Sequence, residues 1–146
     1  MDIKIVIKIV LCSTLIIGQV SCQTGYFETK EAITPTQDLT SKLLKDVVIT
    51  LQNNFPPAKT KLFFPHEKEK LATSLEDSLR RSGYGLTREE KDPKALILGY
   101  KLSSLDNDLF VLNLVVGPQF QLTRLYSKSR DGDYVAAGPM LIRRGL

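Results

Sequence analysis

Leu109 to Ser127 reads LFVLNLVVGPQFQLTRLYS, and its reading decides the fold. Leu109–Val116 is almost wholly apolar, which suits a central strand covered on both faces. Gly117-Pro118 turns the chain. In the following stretch Phe120, Leu122, Arg124 and Tyr126 fall on one side at period two. Two strands joined by so short a turn must pair antiparallel. Just upstream, Leu96, Leu98, Tyr100 and Leu102 alternate as a third strand, joined through the turn residues Asp106-Asn107-Asp108. Downstream, Arg130-Asp131-Gly132-Asp133 turns again into a last strand over 134–143, bent at Gly138-Pro139. Pro139 has no N–H to donate and points to an edge or a bulge.

Further upstream the period changes from two to that of a helix. Leu39, Leu43, Leu44, Val47, Val48 and Leu51 predict a helix over 35–53, with Thr34 as cap, Pro35 at the first helical position and Asp38 in the first turn. Asn53-Asn54 and Pro56-Pro57 stop it. A short strand over 60–64 places Leu62 and Phe64 on one face. Leu71, Ala72, Leu75 and Leu79 predict a second helix over 65–82, with Glu67 and Glu69 early and Arg80-Arg81 late, as the helix dipole favours. Ser82-Gly83 closes it and a brief strand over 84–87 follows. The expected class is α+β: two helices on one face of a mainly antiparallel sheet of about five to six strands.

Residues 1–21 read as a signal peptide. Lys4 and Lys8 precede the apolar run Ile9–Gly18, which ends in Gln19-Val20-Ser21-Cys22. A small residue directly before a cysteine resembles the lipobox of bacterial lipoproteins, although Gln19 stands where an aliphatic residue is usual. Cys22 is therefore the candidate lipidation site. The alternatives are an ordinary signal cut and an uncleaved anchor; the run is about half of the roughly 20 apolar residues a spanning helix needs. Residues 22–34 read as a tether in which Tyr26-Phe27 rests on the membrane interface or docks on the fold. Residues 35–146 form one domain.

Without residues 1–21 the chain keeps 125 residues and a net charge of +3. Its charges are scattered, without the basic stripe and stacking aromatics of a nucleic-acid surface, so direct nucleic-acid binding is not expected. The chain has two cysteines, Cys12 and Cys22. A domain starting at Cys22 cannot close a disulfide on itself and must be held by packing.

Little in the chain supplies chemistry. His66 is the single histidine; the plain reading is a solvated surface group, not a catalyst. No set of Cys and His has the spacing of a zinc site. Asp106-Asn107-Asp108 and Asp131-Gly132-Asp133 lack the ligand spacing of a calcium loop and read as hairpin turns. Gly83-Tyr84-Gly85 follows a helix, so it reads as a C-cap and not a phosphate loop. Glu67, Glu69, Glu89 and Glu90 sit in charged, exposed-looking stretches. No enzyme activity, catalytic residue, metal, cofactor or small-molecule substrate is expected. Arg124 has two readings: an edge arginine lying over an aromatic, or, with Tyr126, a candidate interface residue, since both types are enriched at binding hot spots.

Several stretches recur in a collinear pattern. They are Phe55-Pro56-Pro57-Ala58-Lys59-Thr60, then Leu75, Leu79, Arg80, Gly83 and Tyr84, then Gly99-Tyr100. Leu114-Val115-Val116-Gly117 follows, then Leu122-Thr123-Arg124-Leu125-Tyr126, Ala137-Gly138 and Arg143. In this order and spacing, over roughly residues 35 to 144, the chain resembles the TrbH family of conjugal transfer lipoproteins. It departs from the family at Pro139-Met140-Leu141, where a bulky aromatic is usual. The resemblance implies a non-enzymatic, lipid-anchored part of a bacterial conjugation, type IV secretion-like apparatus. It implies palmitate on Cys22, a periplasmic domain and contacts with other transfer subunits. Gln23 after the cysteine, in place of Asp, favours the outer membrane. The alternative reading is a general envelope lipoprotein or binding module unconnected with DNA transfer.

Overall fold

The computed structural model describes residues 29–89 and 92–145. The signal peptide over 1–21, Cys22, the Tyr26-Phe27 pair and Glu90 lie outside the described residues. Within them the chain runs β1 (Lys30–Glu31), α1 (Gln37–Asn54), a 3₁₀ turn (Pro57–Lys59), β2 (Lys61–Phe63), α2 (Lys70–Arg81) and β3 (Gly85–Thr87). It continues with β4 (Ala95–Asp106), β5 (Leu109–Val116), β6 (Phe120–Lys128), β7 (Tyr134–Ala136) and β8 (Leu141–Arg144).

The α+β class holds, with two helices and one open sheet among the described residues. The sheet has eight strands, more than the five or six expected, and it is mixed. Its order is β3-β2-β4-β5-β6-β7; β1 also pairs with β4 and β8 with β6. The β4-β5-β6 meander and the pairings of β7 and β8 are antiparallel. The pairings β1–β4, β2–β3 and β2–β4 are parallel. The β2–β3 pairing is parallel because α2 carries the chain from β2 back to the same end of the sheet, and a strand leaving such a crossover pairs parallel.

Across the meander, register stacks Leu98, Val116 and Phe120 in one row and Tyr100, Leu114 and Leu122 in the next. These side chains form one core with Leu39, Leu43, Val47 and Leu51 of α1 and Leu71, Ala72, Leu75 and Leu79 of α2. Each helix thus buries one stripe at 3.6-residue spacing. β5 alternates buried and half-buried residues along its whole length. It is central, as expected, but helices do not enclose both its faces: Leu109, Val111 and Val115 remain half-buried on the side away from the core.

The helix starts differ from expectation. Thr36, not Thr34, caps α1, accepting from the Leu39 amide at 3.3 Å. α2 begins at Lys70, five residues after Pro65, and its N-cap residue Glu69 supplies no side-chain cap. Glu31 caps it instead, accepting from the Leu71 and Ala72 amides at 3.0 and 3.2 Å. Residues 30–31, read from sequence as tether, are therefore a strand of the fold. The single strand expected over 134–143 is divided into β7 and β8 at Gly138-Pro139. The other punctuation matches. Asp106 accepts from the Asn107 amide at 2.7 Å in the β4–β5 turn. Gly83, at φ +87°, closes α2, with Gly83 N–H to Arg80 O and Tyr84 N–H to Leu79 O forming a Schellman pair.

Candidate functional site

Three polar constellations interrupt the apolar core. The first surrounds Glu31. One carboxylate oxygen, Oε1, accepts the two α2 amides and the Tyr100 hydroxyl at 2.5 Å. β1 pairs with β4 at Lys101 and Leu102, next along the strand from Tyr100, so strand pairing aims the carboxylate at the helix end. Burial, and secondarily the Glu31 carboxylate, push the Tyr100 hydroxyl well above its ordinary range.

The second follows β2. Phe64 is buried in the core, and His66 tilts against its ring with centroids 4.7 Å apart. The His66 side chain is only 11% exposed, so the expectation of a solvated histidine is corrected. Nε2 lies 2.9 Å from Glu76 Oε2 and Nδ1 faces the Glu67 carbonyl oxygen. Both ring nitrogens therefore face oxygen acceptors of the chain itself. Arg80, one turn after Glu76, donates to Glu76 Oε1 at 2.6 and 3.1 Å. Arg80 first, then His66, hold the Glu76 carboxyl below its usual range.

The segment 65–67 separates two clefts. One, of about 470 Å³, has a floor of Phe63, Phe64 and Leu86 and a rim that includes Lys68, Arg80 and Arg88. The other, of about 620 Å³, lies between Thr29–Glu31 and Pro65–Glu69. The first opens where the parallel strands β2 and β3 end, the kind of place where open α/β sheets commonly bind ligands; the second lies beside β1 and the segment after β2. Among the described residues their linings contain no serine or cysteine. Among the described residues no three His, Cys, Asp or Glu side chains are gathered as a metal site.

The third constellation takes in the candidate interface residues. Register puts Arg124 in the row of Leu102 and Leu112, on the core-facing side. Its Nη1 donates to the Gly138 carbonyl at 2.9 Å. Its Nε lies 3.6 Å from Asp46 Oδ2, an ion pair without a hydrogen bond. Tyr126 is fully buried and donates to the same Asp46 oxygen at 2.9 Å. Burial and then Asp46 raise its hydroxyl far above the ordinary tyrosine range. Arg124 and Tyr126 are thus brought together, as their shared side implies, and both face Asp46 of α1. The aromatic partner proposed for Arg124 is replaced by a carboxylate. Asp46 went unnoticed in the sequence because a single Asp on a helix carries no sign of what the sheet below will place against it. Asp38 behaves alike: it accepts from the Tyr134 amide at 3.0 Å and pins β7 to α1.

No helix among the described residues is long and apolar enough to cross a membrane. A family model, described as conjugal transfer protein TrbH, matches residues 21–145. No curated protein and no solved structure matches the chain.

Proposed function

The chain belongs to the conjugal transfer protein TrbH family, and from that premise we propose that it is a lipid-anchored, non-catalytic component of a bacterial conjugation apparatus. It is a conjugal transfer component by family. The proposal adds how it works: Cys22 is acylated, the acyl chains hold the protein to the envelope with the domain in the periplasm, and the domain acts by contact with other transfer subunits. The observation that carries this reading is the family match, which spans nearly the whole domain and opens at Ser21 beside the candidate lipidation cysteine.

Physical chemistry supports the same reading. One acyl chain gives marginal binding to a bilayer, and each buried CH₂ adds about 0.8 kcal/mol, so a multiply acylated cysteine anchors stably. A tethered domain meets membrane-bound partners at a raised effective concentration. The one histidine is held between Glu76 and the Glu67 carbonyl, and among the described residues no serine or cysteine nucleophile lines the clefts beside it. Gln23 after the cysteine favours the outer membrane as the membrane face.

Labelled palmitate tests the anchor: the wild-type chain incorporates label and Cys22→Ala does not. Equal labelling of both overturns the anchor. Deletion of the chain tests the transfer role, with mating frequency falling and returning on complementation; undiminished transfer overturns it.

A further inference from the structure

β7 and β8 lie end to end along one side of β6, pairing with Tyr126–Lys128 and Phe120–Thr123 respectively. The break between them sits at Gly138-Pro139, where Arg124 holds the Gly138 carbonyl. Among the described residues both strands pair with β6 alone, so β8 presents an unpaired row of backbone groups. All four of its residues are exposed. Of the five exposed large hydrophobic residues described, three stand on this edge: Val135, Leu141 at 62% and Ile142 at 41%. The opposite edge, β3, carries none of the five, so the two edges are not equally blunted.

The pattern on β8 is specific. Leu141 is paired with Thr123 and Arg143 with Gln121, on the face away from the core. Ile142 is paired with Leu122 and Arg144 with Phe120, on the helix side. Each face therefore shows one aliphatic side chain followed by one arginine. On the helix side α1 flanks the strand: the Thr50 hydroxyl reaches Met140 Sδ at 3.3 Å and Arg144 donates to Asn54 at 2.7 Å. Ile49, in the same helical turn as Thr50, is exposed as well.

We infer that the β8 edge is a docking strand for an extended segment of another protein, carrying two adjacent acidic residues next to two adjacent apolar ones. An antiparallel guest with the acidic pair first sets carboxylates opposite Arg144 and Arg143 and apolar side chains opposite Ile142 and Leu141. Main-chain hydrogen bonds supply the affinity of such strand addition, and the side-chain pockets supply its selectivity. A second copy of this chain is the poorer guest. Antiparallel pairing of β8 with itself sets Leu141 against Arg144 and Ile142 against Arg143, and it gathers four guanidinium groups at one joint. Opposite charges across paired strands stabilise, and like charges destabilise.

The inference rests on the proposed reading that this protein works by contact with other proteins. It is tested with the full chain in mating cells, with p-benzoylphenylalanine in place of Leu141, photo-crosslinking, and mapping of the crosslinked peptide. The expected adduct maps to a segment of another protein with an acidic pair beside an apolar pair. Arg143→Glu lowers its yield at least tenfold while the far-ultraviolet circular dichroism and Tm stay those of the parent. An adduct to a second copy, to residues 22–28 of the same chain, to lipid or to a segment of other composition overturns the inference. So does the absence of an adduct, or one indifferent to Arg143→Glu. Mating frequency after deletion, measured in parallel, judges the transfer role separately: unchanged transfer with the expected adduct sinks that role and leaves the docking strand standing.

Discussion

Glu31 connects three parts of the molecule through one oxygen: the first turn of α2, the Tyr100 ring and its own strand β1. A helix N-terminus leaves four amides without intrahelical partners, and two of those of α2 are met by this carboxylate. Glu31→Ala leaves them and the Tyr100 hydroxyl short of an acceptor. It is expected to cost about 1–3 kcal/mol, measured by urea unfolding; adding Tyr100→Phe to that variant is expected to cost less than in the wild type, since the two share one bond. Glu76 has a different consequence. Its folded carboxyl titrates lower than its ordinary value of 4.5, because Arg80 and then His66 favour the ionised form. The unfolded chain therefore binds more protons near that pH. The contribution is present above about pH 4.5 and is lost as the pH falls through the lower folded value. Thermal melts at successively lower pH should show the wild type losing stability more steeply below this point than Glu76→Gln; parallel curves would mean that the pair contributes nothing measurable.

At the scale of elements, termini decide as much as periodicity. Gly83 takes φ +87° with the Pro57 side chain 3.7 Å from where a Cβ would stand. Space is sufficient and the backbone angle is not, because a left-handed conformation costs L residues about 1–2 kcal/mol. Gly83→Ala is expected to lower stability by about that amount in chemical denaturation. This cap was legible, since Ser82-Gly83 sits one turn after the last apolar residue of α2. So were both helical stripes, the β4-β5-β6 meander and the turns between its strands, because each depends on residues near in sequence. The start of α2 was not. Pro65 and the early glutamates are good local signals for a helix beginning there, but Glu31, far away in sequence, fixes it at Lys70. The parallel pairing of β2 was hidden for the same reason: alternation reports which face is buried and not the direction of a neighbour. The division of the last strand was half legible. Pro139 marked the break, and nothing local said that Arg124 would bind there.

For the whole molecule, the buried hydrophobic core runs from Leu39 to Tyr134, yet the fold begins before it. A chain starting at Pro35 keeps every fully buried core residue and loses β1, the Glu31 cap and the partly buried Ile33 that packs on the core. It is expected to melt about 5 °C or more below a chain starting at Thr29, on the scale of a few degrees per kcal/mol for a domain of this size. Equal melting temperatures would show that β1 is decoration. The candidate site followed the same division between local and distant. Arg124 and Tyr126 were legible as a pair on one side of a strand. Asp46, their shared partner, and the inward direction of that side were settled only when α1 was laid over the sheet.

β1 also has a mechanical meaning. Tension applied through residues 22–28 enters the described fold at Thr29 and meets Lys30 and Glu31 first. These two residues hold to β4 by parallel pairing, and the Glu31 side chain carries the strain onward to α2 and Tyr100. Separating β1 from β4 would also take the Glu31 carboxylate from the first turn of α2, so the hold of the N-terminal strand and the start of that helix are one and the same contact. The β4-β5-β6 part of the sheet does not depend on that contact, being held by its own long pairings.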